Sequence, residues 1–178
     1  EVSRIPIYLN DLCGMPGRLE TIDEGQQFGC VVDRAYDPHE LQSTLEAMRR
    51  VTTNKLVVIW GGKSPIKNEA YREIASHLKR YADEVVLTTD DPGTADPKVI
   101  SREIRHDLDM EEGDGFFEIE DRYEAIRYAL YCAEPGDMVL IVGRGDEAHQ
   151  KIGNQKIPFD DRAVAREILQ FAQKKAML

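Results

Sequence analysis

The 178-residue chain, 42% hydrophobic and 31% charged, has the size and balance of one folded domain. Its formal net charge of -10 opposes a phosphate backbone or an anionic membrane surface, because nucleic-acid affinity comes from neutralising phosphates with Lys and Arg. No apolar run approaches the roughly 20 residues that span a bilayer, and the start lacks the basic and apolar regions of a signal peptide. The acidity itself serves solubility. Cys13, Cys30 and Cys132 are too far apart for a zinc site or redox pair and odd in number, so a reducing cytosol is the expected setting. The chain begins with Glu1 and not Met, which leads to the expectation of a piece of a longer chain.

In chain order, an opening segment ends in the turn-rich Gly14-Met15-Pro16-Gly17, and Arg18 to Ile22 reads as a strand at a sheet edge. Phe28 to Val32, Leu56 to Trp60, Val85 to Leu87 and Met138 to Val142 read as buried strands. Their apolar residues run on without alternating, as parallel strands covered on both faces require. Helices are predicted over Pro38 to Val51, Asn68 to Ala82, Pro97 to Leu108, Asp121 to Ala133 and Asp160 to Lys175. In the last, Val164, Ile168 and Ala172 share a face, and Asp160 or Asp161 caps the start. Asp109 to Gly115 reads as a surface loop. The alternation of strand and helix predicts an α/β domain with helices on both sides of a mostly parallel sheet.

In such a sheet, ligands bind beyond the carboxyl ends of the strands. Three loops there carry candidate chemistry: Gly61-Gly62-Lys63-Ser64, Asp90-Asp91-Pro92-Gly93-Thr94 and Gly143-Arg144-Gly145-Asp146-Glu147. The first is not a P-loop, since Val57 stands where that motif needs glycine; it is either a Gly-rich turn or a lysine reaching a phosphate. Asp90 and Asp91 either cap the next helix or accept hydrogen bonds from a ligand ammonium. In the third loop the glycines permit close backbone approach and Glu147 suits a cationic centre, against the alternative of a plain turn. Arg144 is open between a surface charge and an anion contact. His39, His77, His106 and His149 show no metal-ligand spacing, and no nucleophile elbow or Cys/His pair is present. Tyr123, Tyr128 and Tyr131 lie on one helix, where packing explains them.

Together these segments resemble the C-terminal domain of the UDP-N-acetylmuramoyl-tripeptide synthetases of the Mur ligase family, from Pro16 to about Leu169. Pro16-Gly17-Arg18-Leu19-Glu20 is similar to the family's interdomain hinge, and Val32-Asp33-Arg34-Ala35-Tyr36-Asp37-Pro38 to its Val-Asp-Tyr-Ala-His-Thr-Pro stretch. Thr89-Asp90-Asp91-Pro92 resembles its Asp-Asn-Pro-Arg region, and Gly143-Arg144-Gly145-Asp146-Glu147, with Gln150 and Phe159-Asp160-Asp161-Arg162, its Gly-Lys-Gly-His-Glu ending.

The resemblance implies a three-layer Rossmann-like fold with a six-stranded, mostly parallel sheet and one antiparallel strand. Residues 1–16 would be the end of a central domain and its hinge, and residues 17–178 the amino-acid-binding domain. It further implies a cytoplasmic ATP-dependent ligase that adds a third residue to UDP-N-acetylmuramoyl-dipeptide in peptidoglycan synthesis, with ATP and Mg2+ held mainly by the central domain. Arg18, Asp33, Tyr36 and Lys63 are then expected near ATP, and Asp90, Asp91, Gly143 and Glu147 around the incoming diamino acid. Partners would be these substrates and the chain's own N-terminal and central domains.

Departures from the pattern matter too. The family's Tyr and His are Arg34 and Tyr36, and its Asp-Arg-Asp-Lys run is reduced to Lys63-Ser64-Pro65-Ile66-Lys67. Its carboxylate-clamping Arg is Gly93, a loss of about 2 kcal/mol that points to a lysine-type or other third residue over diaminopimelate. The alternative expectation is a non-catalytic scaffold that keeps the fold without the ATP chemistry.

Overall fold

The computed structural model describes residues 14–63, 68–93, 96–110, 112–113 and 115–176. Cys13, most of the segment expected to end a preceding domain, and Ser64-Pro65-Ile66-Lys67 lie outside the described residues.

A short β1 (Glu20–Thr21) leads to β2 (Gly29–Asp33) and helix α1 (Pro38–Val51). Then follow β3 (Leu56–Gly62), α2 (Asn68–Tyr81), β4 (Glu84–Thr89), α3 (Pro97–Leu108) and β5 (Phe116–Glu118). After α4 (Arg122–Cys132) and β6 (Met138–Val142), a hairpin of β7 (His149–Ile152) and β8 (Gln155–Pro158) precedes α5 (Asp161–Ala176).

Four of these helices start where an aspartate stands before them. Asp37 accepts from the His39 and Glu40 amides, Asp96 from Lys98, Asp121 from Glu124 and Asp160 from Arg162. Each satisfies amides that the first turn leaves unpaired, and Pro38 and Pro97 occupy first-turn positions where no N–H is missed. Asp90 and Asp91 cap nothing, because Asp96 holds the α3 start.

Six strands form one sheet in the order β1-β2-β6-β3-β4-β5; β1 runs antiparallel to β2 and the other pairings are parallel. Residues alternate between two cores. Val31, Val58, Trp60, Leu87 and Leu140 pack beneath α1, α2 and α3, while Val32, Ile59, Val86 and Ile141 pack beneath α4 and α5. That division follows from right-handed crossovers: the chain steps one way across the sheet from β2 to β5, then back to β6, which puts the return helix on the opposite face. Each fully buried Leu or Ile contributes about 2 kcal/mol, so the cores set the position of the loops above them.

Two expectations need correcting. Gly61 and Gly62 belong to β3, paired with Thr88 and Thr89, so the loop starts only at Lys63. A side chain at Gly61 would meet the Asp90 backbone and the Arg122 guanidinium, and one at Gly62 would meet Ile100. The apolar face of α5 is Ala165, Ile168 and Leu169, with Val164 only partly covered. The strand β5 and the β7–β8 hairpin are additions that the apolar runs did not announce.

Candidate functional site

The carboxyl ends of β2, β3, β4 and β6 open on one edge of the sheet. β3 is followed by α2 on one face, whereas β6 leads to α5 on the other, so a crevice opens between the two strand ends. Lys63 stands at the first end and the Gly143–Glu147 loop at the second.

Across that crevice Lys63 Nζ donates to Glu147 Oε1 at 2.9 Å, with both side chains partly exposed. Lys63 is held from behind: the Tyr71 hydroxyl donates to its carbonyl at 3.0 Å, and its ammonium lies 5.5 Å from the centre of the Tyr36 ring. The residues expected at ATP and at the amino acid therefore meet in one contact. With Asp91, Gly93, Ala148, His149, Lys151 and Lys156, this pair lines a cavity of about 490 Å³.

Beneath the cavity lies a buried ionic layer. Arg144, read as open between a surface charge and an anion contact, is fully buried; its Nη1 donates to Asp90 Oδ1 and Asp91 Oδ1, each at 2.8 Å. Its Nη2 also donates to the His149 carbonyl. Asp90 is wholly buried, so it holds Arg144 in place and its carboxylate is not open to the cavity. Burial pushes its carboxyl up to about 6 against the opposing pull of Arg122, Lys63 and Arg144. Asp91 keeps an edge at the cavity.

Gly143 is required by close approach: its φ is +110° and an added Cβ would sit 2.7 Å from Asp90 Oδ2. A second buried pair lies alongside. Arg122 donates from Nε and Nη2 to the two Asp161 oxygens, each at 2.8 Å, and from Nη2 to the Val142 carbonyl at 3.0 Å. Burial disfavours this guanidinium's charge, but Asp161 outweighs it and raises the pKa.

The residues expected near ATP divide. Arg18 is half-exposed and 3.5 Å from Glu40, and Tyr36 is exposed, so both present themselves to solvent at the β2 end. Asp33 is instead buried and occupied, accepting from the Leu19 and Ala35 amides at 2.8 Å and from the Thr44 hydroxyl at 3.1 Å. It anchors the hinge segment and has little capacity left for a nucleotide. Among the described residues no group of three or more His, Cys, Asp or Glu is placed to hold a metal ion by side chains alone.

Sequence reasoning missed Arg122, Lys151 and Lys156, and it named Gln150 and Asp161 only as parts of a motif or as a helix cap, without these contacts. Two signals were available. An Asp-Asp pair at a helix start has one capping task, which leaves Asp161 for another partner. Gly153-Asn154 between two short polar runs is a two-residue hairpin signal.

The Mur ligase, glutamate ligase domain family matches residues 17–145. The chain is 43% identical over 165 residues to a Geobacillus kaustophilus protein named UDP-N-acetylmuramoyl-L-alanyl-D-glutamate--2,6-diaminopimelate ligase, covering 91% of this chain and 33% of that one. A Streptomyces coelicolor protein of the same name is 39% identical over 163 residues, covering 90% and 32%. A solved structure of a ligase so named superposes with a TM-score of 0.80 at 30% identity, covering 94% of this chain and 34% of the other. The chain thus spans about a third of the length of these relatives. No described helix is long and apolar enough to cross a membrane. With a matching family over most of its length and the same six-stranded architecture, this chain belongs to the Mur ligase family as a copy of its C-terminal domain.

Proposed function

We propose that residues 17–178 form the amino-acid-binding domain of an ATP-dependent ligase, with residues 1–16 leading in from a central domain. The ligase adds a diamino acid as third residue to UDP-N-acetylmuramoyl-dipeptide during peptidoglycan synthesis in the cytoplasm. In this reading ATP phosphorylates the peptide carboxylate, the incoming amine attacks the acyl phosphate, and the tetrahedral intermediate collapses with loss of phosphate. Catalysis is then positioning and charge stabilisation. ATP and Mg2+ are held mainly by the central domain, with Arg18 and Tyr36 approaching from this one.

One observation carries the reading: Glu147 and Lys63 meet at 2.9 Å over a cavity whose rim includes Asp91, at the crevice where the sheet's connections diverge. Lys63 occupies Glu147 as a substrate ammonium would. An incoming diamino acid takes its place, Glu147 accepts the ammonium, and Lys63 is released toward the phosphate side. Asp90 and Gly143 contribute by holding Arg144 and the loop backbone in register. The relatives' names weigh toward diaminopimelate and against the lysine-type residue expected from Gly93.

The test is ligation by the full-length enzyme, with product identified by mass. Glu147→Ala is expected to raise KM for the amino acid by about 30-fold, the equivalent of one charged contact of about 2 kcal/mol, and to leave KM for ATP in place. Absence of product with any amino acid would refute the ligase reading in favour of a scaffold.

A further inference from the structure

The β7–β8 hairpin has two unlike faces. Gln150 points inward, its Nε2 donating to the Asp90 carbonyl at 2.7 Å and the Thr89 carbonyl at 3.2 Å. His149 and Lys151, one step off in the alternation of a strand, line the cavity instead. Lys156 is the direct cross-strand partner of Lys151 and lines the same cavity. Two like charges facing each other across a strand pair are destabilising by themselves. The ion pairs at this cavity run from Lys63 to Glu147 and from Arg144 to Asp90 and Asp91. Among the described residues that leaves the two hairpin ammonium groups without a carboxylate partner.

The hairpin is also held firmly against the β4 loop. The Lys151 amide donates to Asp91 Oδ1 at 2.8 Å, and the Gly153 amide to the Gly93 carbonyl at 2.7 Å. Gly93 itself has a φ of +59°, and an added Cβ would meet nothing within 4 Å. An arginine there would have room but would carry the strain of a left-handed backbone. The space beside Gly93 is open, and among the described residues the cations of this cavity that face no carboxylate come from the hairpin.

We propose that Lys151 and Lys156 together form the clamp for a second carboxylate on the incoming amino acid, replacing from the hairpin the charge that Gly93 lacks. This rests on the ligase reading of the same cavity. Glu147 then accepts an ammonium at one side while the lysine pair takes a carboxylate at the other, and the repulsion between the lysines is relieved only when such a ligand is bound. The substrate class is a diamino dicarboxylic acid, and lysine, with a single carboxylate committed to the backbone end, gains nothing from the pair.

Steady-state kinetics of the full-length enzyme test this with meso-diaminopimelate and L-lysine as probes. Both lysines are exposed, so the Lys151→Gln/Lys156→Gln variant should fold. It is expected to raise KM for diaminopimelate about tenfold or more with KM for ATP unchanged, and the Lys151→Arg/Lys156→Arg variant to restore most of the loss. An unaltered KM for diaminopimelate in the glutamine variant overturns the clamp and leaves the ligase reading standing. Preference of the unaltered enzyme for lysine overturns it as well. Failure to ligate either amino acid overturns both.

Discussion

At Asp90 burial and pairing pull in opposite directions, and the balance gives the residue a measurable signature. Its carboxyl is pushed up to about 6 from an ordinary 3.8, chiefly by loss of water. Between those values the folded chain keeps a proton that the unfolded chain has released, so this group makes stability fall as pH rises through the window. Asp90→Asn removes the titration. Urea midpoints measured from pH 4 to 7 are expected to show a steeper loss toward neutral pH in the parent chain than in the variant; parallel profiles would contradict the raised pKa. The neighbouring glycine is equally constrained. Gly143→Ala must hold a side chain at a φ of +110° and 2.7 Å from Asp90 Oδ2. It should cost about 1 to 3 kcal/mol and displace Asp90, so an unchanged denaturation midpoint would refute this packing.

Between elements, the Arg122–Asp161 pair joins the start of α4 to the start of α5, with both side chains fully buried. Removing one partner leaves an uncompensated charge in the core. Arg122→Met is therefore expected to cost about 3 to 5 kcal/mol, whereas adding Asp161→Leu to it should recover part of that loss. Denaturant titration of the two single variants and the double closes the cycle, and additive losses would show that the pair is not coupled. At this scale much was readable in advance. The start of the last helix followed from Asp160 and Asp161 before its apolar face, and four buried strands from continuous Val, Ile and Leu runs, because both signals are local. The hairpin escaped notice because its residues are mostly charged and polar, and its stability comes from docking on the β4 loop and not from an apolar run. The same limit applies to the site. Lys63, Asp91 and Glu147 were recognisable as loop residues after strands, but nothing local distinguishes the buried Arg144 from an exposed one, since its burial is created by Asp90 from 54 residues away.

For the molecule as a whole, the strand order decides what the edge can do. Because β6 inserts between β2 and β3, the loops bearing Lys63 and Glu147 become neighbours although 84 positions separate them. That order is set by packing across the full chain, so no single segment encodes it. Among the described residues, the cations at the β2 and β3 ends of that edge already face carboxylates. Lys63 is engaged by Glu147, Arg18 lies near Glu40, and Arg34 is 3.6 Å from Asp146. The loop after β3 lacks the glycine that would wrap backbone amides around a phosphate, with Val57 buried in the strand at that position. Phosphoryl transfer depends on holding the reacting groups in line and neutralising charge on the oxygens, which calls for a second surface facing this one. The 178-residue chain by itself should therefore release no ADP above the uncatalysed background when incubated with ATP, Mg2+ and diaminopimelate, read by a coupled assay. Sustained ADP production that is lost on Lys63→Ala substitution would place the phosphate grip in this domain and reverse the division of labour argued above.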